Sequence, residues 1–319
     1  MVSLQRLFLK GSLVLIGLVV AVVFFPIAFN VMPAPFFDRG CAVSQSLGTN
    51  IACYGFMWNT ITIGVFIGII GPALGIFLVH REMALIGETL AHAAFAGVAL
   101  GTLLFAASGW DSRLLVTALV IAVFGAVAIQ YLKEKTGSYG DVPIAIILTG
   151  SFAIGTLLID IGGGFAFVDI NSYLFGNISI TDDRSVVIMA ILSLIVIGVI
   201  TVAYKPLLYI TFDEQIARVG DVPVSTLNGI LIVLTALVVV GAMQIMGVIL
   251  VAAMLVVPVA AASQVVSGFR EAMYASIVFG VLSVSIGLGI SWGYSLRPGA
   301  TIVVVAIGVY LLAIMFSTQ

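Results

Sequence analysis

Apolar residues fill the chain in long runs, broken at near-regular intervals by charged residues, Gly and Pro. The runs fall at about 12–29, 57–79, 83–105, 113–131, 142–160, 185–204, 225–241, 246–266, 272–291 and 300–316. Each approaches the roughly 20 residues that an α-helix needs to cross a bilayer. The pattern predicts an all-α polytopic membrane protein of about nine to ten transmembrane helices. Ten spans place both termini on one side. The residues between spans are too few for a separate folded domain.

Against that background, polar groups inside a run require an explanation. The segment Arg81–Gly101, REMALIGETLAHAAFAGVALG, places Glu88 and His92 four residues apart. Helical spacing puts them on one face, one turn apart. An ionised carboxylate at mid-membrane costs about 2.5–3.5 kcal/mol on insertion scales, so it needs water, a partner charge or a cation. Carboxylate oxygen with imidazole nitrogen suits divalent first-row cations such as Zn, Mn or Fe. Two ligands on one helix leave such a site incomplete, which fits a stop on a conduction path. Two other readings stay open from the residues alone. Glu88 caps a helix near the surface while His92 bonds a neighbouring backbone, or the two form a proton relay. A zinc-protease reading fails. Its histidines stand one helical turn apart, whereas His80 and His92 are twelve residues apart, which along one continuous helix would be about 18 Å.

Composition and charge narrow the class further. Of 319 residues, 62% are hydrophobic and 8% charged, far below the roughly 25% charged of soluble domains. No Walker-type GxxxxGK sequence occurs, so any ATP must be bound by another subunit. In the ten-span arrangement Arg6, Lys10, Arg81, Lys133, Lys135, Lys205, Arg218 and Arg270 share one side, and Arg39, Arg113, Arg184 and Arg297 the other. The positive-inside rule then places both termini in the cytoplasm of a multi-pass cell-membrane protein. The first apolar run, without a small-x-small cleavage site, reads as an uncleaved span. Cys41 and Cys53 follow it on the extracytoplasmic side, where a disulfide and two apolar-packed thiols are both admissible.

Three local patterns complete the reading. Gly64, Gly68, Gly71 and Gly75 form a four-three-four stripe that lets helices approach closely, and Pro72 should bend that span. Gly-Asp-Val-Pro occurs at Gly140–Pro143 and Gly220–Pro223, where Asp is expected to cap a following helix. The stretch Ile161–Thr181 is too polar and Gly-rich to span, and reads as a short external or re-entrant piece.

Three ordered segments resemble one family. Arg81–Gly101 is similar to the signature of permease subunits in zinc, manganese and iron ABC importers, in which an acid follows arginine and a histidine follows the acid by one turn. Phe212–Gly220, FDEQIARVG, resembles their cytoplasmic coupling segment. Gly247–Ala262, GVILVAAMLVVPVAAA, resembles their Pro-containing helix, and Leu174–Ile178 a further short motif. The likeness covers about 59–316, dividing the chain into a permease domain at 57–319 and, at 1–56, an extra N-terminal helix and loop. The family usually has Asp where this chain has Glu88, so the carboxylate arm is longer here.

The resemblance implies a type II importer architecture. Two permease copies enclose a path, two cytoplasmic ATPases lie below, and a metal-loaded solute-binding protein docks outside. It implies metal contacts at Glu88 and His92, and ATPase coupling through Phe212, Asp213, Glu214, Ile216, Ala217 and Gly220. Asp213 and Glu214 near a helix N-terminus complement its dipole, and Phe212, Ile216 and Val219 supply an apolar docking face. The chain itself is then no enzyme. It holds no permanent cofactor, lies among membrane lipid and takes no nucleic acid. The readings to be weighed against this one are a secondary cation transporter with a Glu/His proton relay and an ABC permease for a metal chelate.

Overall fold

A helix that is apolar on every side is a core helix or a membrane span, and Gly55–His80, which has no polar face, is buried at every residue from Ile63 to Leu78. In the computed structural model, which describes residues 41–42, 45, 53–108, 114–136, 142–161, 176 and 183–317, this segment is the central helix α1. There follow α2 (Ile86–Ser108), α3 (Leu114–Thr136), α4 (Val142–Ile161) and α5 (Asp183–Phe212). After the short α6 (Glu214–Val219) come α7 (Val224–Met246), α8 (Val248–Val265), α9 (Phe269–Gly293) and α10 (Pro298–Phe316). Among the described residues nine helices, all but α6, are long and apolar enough to cross a membrane. The chain is a multi-pass α-helical membrane protein.

α1 packs on α5, α7, α8 and α9, while α2, α3 and α4 form a second group joined to the first through α7 and α8. The ends of α1, α3 and α5 gather with α6 and the start of α7. Gln130 on α3 ties that end together, its Nε2 donating to Ser225 Oγ at 2.9 Å.

The glycine stripe does permit close approach, but it serves two neighbours. A Cβ on Gly64 would lie 2.7 Å from Val284 on α9, and one on Gly68 would lie 3.1 Å from the Val281 nitrogen. Gly71 and Gly75 instead face the backbone of Met254 and Leu255 on α8. A Cβ on Gly75 would meet the Leu255 carbonyl oxygen, which no rotamer change can move. Gly75→Ala should therefore destabilise the detergent-solubilised protein by about 1–3 kcal/mol, read as a lower melting temperature. Gly198→Ala, whose Cβ meets open space, should be neutral or stabilising by up to about 1 kcal/mol.

Several boundaries differ from those the apolar runs predict. α2 begins at Ile86 and not at 83, because Arg81–Leu85 form a hydrogen-bonded elbow. α5 continues past Lys205 and Pro206 to Phe212, eight residues beyond the predicted end at 204. Gly247, at φ 86°, separates α7 from α8. Asp221 does not cap α7: it sits at φ 56°, and Pro223 is the N-cap with no side-chain hydrogen bond. Pro72 lies inside the unbroken α1.

Of the two alternatives for the cysteines, the structure has the disulfide, with Cys41 and Cys53 Cα atoms 4.6 Å apart just before α1. The predicted first span at 12–29, Asp141, and the 161–181 stretch beyond Ile161 and Gly176 lie outside the described residues. Gly176 itself, at φ 78°, presses against the α7–α8 junction, where a Cβ would lie 2.6 Å from the Met246 carbonyl carbon.

Candidate functional site

α2 is built from Ala, Gly, Leu and Thr, so its neighbours can pack directly on its backbone. A Cβ on Gly97 would lie 2.7 Å from Ala118 Cα on α3, and one on Gly155 of α4 would lie 3.2 Å from Ala96 Cα. Thr89 Oγ1 donates to Leu85 O at 3.0 Å and lies 3.4 Å from Ile144 O, pinning the first turn to α4. The outcome is selective. From Ile86 to Ala99 every residue of α2 is buried except Glu88, which is exposed, and His92, which is half-buried.

The two polar groups therefore share the one open line along an otherwise enclosed helix. Glu88 stands in the first turn of α2. His92 follows about 6 Å further along the axis, its ring edge-on to Phe152 of α4 at 5.1 Å and 81°. Phe152 also stacks on Phe95 at 6.4 Å, so the imidazole abuts one ring of an aromatic pair that no spacing in the sequence reveals. No group of three or more His, Cys, Asp or Glu side chains able to hold a metal occurs among the described residues. One copy of the chain thus presents a carboxylate and an imidazole one turn apart along this open line.

The proposed coupling residues gather at the end of the bundle where α5 stops. Asp213 is the N-cap of α6, its Oδ1 accepting from the Gln215 and Ile216 N–H groups, each at 2.9 Å. This is the capping geometry expected of Asp before a helix. Glu214 accepts from Arg218 at 2.7 Å, one turn on, and Gly220 ends the helix, its N–H donating to Ile216 O at 3.0 Å. Ala217 is buried, whereas Phe212, Ile216 and Val219 are 65%, 68% and 87% exposed. The six-residue helix turns Ala217 to the bundle and leaves Ile216 and Val219 exposed beside Gln215 and Arg218.

Residues that the sequence alone did not single out tie this helix to the rest. Arg81, at the end of α1, lies 3.6 Å from Glu214 with its side chain 5% exposed. Burial holds its pKa below the usual guanidinium range, with Glu214 opposing that shift. Phe269 of α9 contacts both Phe212 at 5.6 Å and His80 at 5.2 Å, joining the ends of α1, α5 and α9. Beside α6 opens a cavity of about 710 Å³, lined by Met83, Gln130, Lys133, Ile144, Glu214 and Asn228 among others. The burial of Arg81 had one sequence signal, its place in the same motif as Glu88. The Phe152 contact had none.

Comparison with known proteins agrees with this architecture. Residues 53–317 match the profile of the ABC 3 transport family. A metal transport system membrane protein of Treponema pallidum is 32% identical over 261 residues, covering 82% of this chain and 95% of that protein. The manganese transport system membrane protein MntC of Halalkalibacterium halodurans is 32% identical over 266 residues, covering 83% and 89%. Among solved structures, PsaBC from Streptococcus pneumoniae in complex with Fab superimposes with a TM-score of 0.70 at 31% identity, covering 82% of this chain and 91% of that one. A match running from Cys53 to the last turn of α10, together with relatives aligned over most of both chains, shows that the chain belongs to the ABC 3 transport family of membrane permeases.

Proposed function

We propose that the chain is the permease subunit of an ATP-driven importer of divalent transition metal ions, with zinc, manganese and iron as the candidate cargo. The observation that carries this reading is the isolation of Glu88 and His92 as the open positions on an otherwise buried stretch of α2. A lone carboxylate and imidazole suit a first-row divalent ion, and the name of the Halalkalibacterium relative supports manganese as the first to test. Two copies of the chain, facing each other across a shared path, supply two Glu and two His. A single copy supplies half a coordination shell, which binds loosely enough to release the ion onward.

The Cys41–Cys53 disulfide adjoins the N-terminal end of α1. Disulfides persist in oxidising compartments, so this end lies outside and α6 lies in the cytoplasm, with the C-terminus on the same side. That agrees with the positive-inside count. A cytoplasmic ATPase dimer receives α6, and a binding protein delivers the metal to the outer face. ATP-driven closure of the ATPases displaces α6 and switches which side of the path is open.

The test is metal uptake into proteoliposomes holding the permease and its ATPase, with loaded binding protein supplied. Uptake should require hydrolysable ATP, and competing Zn, Mn and Fe should rank the cargo. Metal movement by the permease alone, driven by a proton gradient, would refute the importer and favour a Glu/His proton relay.

A further inference from the structure

Arg81 holds a charge where the protein offers it little support. Its side chain is 5% exposed, it pairs with Glu214 Oε2 at 3.6 Å, and its Nη1 is buried without a hydrogen-bond partner. A buried guanidinium is costly unless paired, and Glu214, itself 36% exposed and also accepting from Arg218 at 2.7 Å, is the counter-charge that Arg81 reaches. That acid stands on α6. Arg81 stands in the elbow that leads into α2.

The elbow is built to pass on a displacement. Glu82 N–H donates to Val79 O at 3.1 Å, Met83 N–H to Leu78 O at 2.9 Å, and Ile86 N–H to Met83 O at 3.2 Å. Glu82 takes the left-handed backbone at φ 56°, a conformation that a non-glycine residue keeps only when its surroundings impose it. Met83 is 4% exposed, anchoring the turn between α1 and α2. Two residues into α2 comes Glu88. The rings around Phe269 also join the end of α5 to the end of α1, but apolar rings can slide on one another. A buried charge cannot leave its counter-charge without a large penalty.

We propose that Arg81 is a positioning residue: its ion pair with Glu214 links α6 to the first turn of α2 and thereby to the exposure of the Glu88–His92 pair. The proposal rests on the importer reading and adds a specific route by which movement at the ATPase reaches the metal path. When α6 shifts, Arg81 follows, and the elbow carries the start of α2 with it.

The test is a double-mutant cycle on the assembled complex of permease, ATPase and binding protein, reading metal moved per ATP hydrolysed. The variants are Arg81→Met, Glu214→Gln and the two together. Methionine keeps much of the arginine stem and removes the buried charge, so Arg81→Met should assemble normally, as co-purification with the ATPase checks. Each single substitution should lower metal moved per ATP by about ten-fold, and the double should be no worse than the lower single. Equilibrium metal binding to the permease should be unchanged. A purely structural role would lower yield and melting temperature while leaving the transport ratio intact, and that result overturns the proposal. So do an unchanged ratio in Arg81→Met and single effects that multiply in the double. ATP-independent uptake by the unmodified complex would overturn the importer reading and this one with it, whereas coupled uptake that survives Arg81→Met overturns this one alone.

Discussion

Uptake by the complex should fall by about a hundred-fold or more in Glu88→Gln and again in His92→Ala, because even the outer partners of metal ligands are worth about 10–100-fold. In the proposed two-copy path, each substitution removes two groups. Neither should harm folding. Glu88 is exposed in the chain, and His92 is half-buried with an edge contact to Phe152. The measurement is radiometal uptake into proteoliposomes, paired with melting temperature and ATPase co-purification. Glu88→Asp should retain uptake, since it keeps the carboxylate on a shorter arm, and should shift only the order in which competing metals are taken. Wild-type uptake from both Glu88→Gln and His92→Ala would remove these residues from the path.

Energetics explain why such a pair survives in a membrane helix. A carboxylate at the bilayer centre costs about 2.5–3.5 kcal/mol by insertion scales, comparable with a sizeable part of a protein's net stability. Burying Glu88 against α3, α4, α7 or α8 would add an unpaired charge to that cost. The fold instead gives those contacts to the small residues around it and leaves Glu88 at the open line. Its place in the first turn of α2, close to the end that holds α6, also shortens its distance from water. The same position lets a movement at α6 reach it through Arg81.

The sequence made the spans legible because membrane helices obey a length rule. It could not say which helix packs on which. α1 is apolar on every side, so it carries no stripe that points toward a partner. The glycine stripe signalled close approach, yet its division between α8 and α9 depends on the third dimension. Glu88 and His92 were legible from a spacing of four, whereas their isolation depends on burial of every other residue from Ile86 to Ala99. The cap at Asp213 was legible, but the similar expectation at Asp221 failed because its backbone turns to φ 56° before the helix begins. Lys205 and Pro206 suggested an end to α5. A long lysine can hold its charge at an interface while its stem lies along the helix, and the helix runs on to Phe212. Arg81 entered the charge count as an interfacial residue, although its side chain is enclosed.

Replacing the apolar face of α6 should separate the permease from its ATPase. Phe212, Ile216 and Val219 are each more than half exposed, and Ile216 and Val219 stand three residues apart on a helix too short to bury them itself. We propose these three side chains as the ATPase-docking contact. If Phe212 and Ile216 fill pockets on the ATPase, each contributes about 2 kcal/mol or more, roughly thirty-fold in affinity. Ile216→Asp should therefore weaken ATPase binding by at least that factor, and Phe212→Ser with Ile216→Asp should abolish co-purification at micromolar protein. The cap is worth less: Asp213→Ala should cost about 1 kcal/mol of local helix stability, lowering transport while leaving much of the assembly. The order of effects is the discriminating result, because a surface turn with no partner would respond to neither change. ATPase titration against the detergent-solubilised permease reads it directly. Undiminished binding in the double variant would place the ATPase contact elsewhere, whereas lost binding with unchanged melting temperature would assign the contact to the exposed face that Ala217 anchors to the bundle.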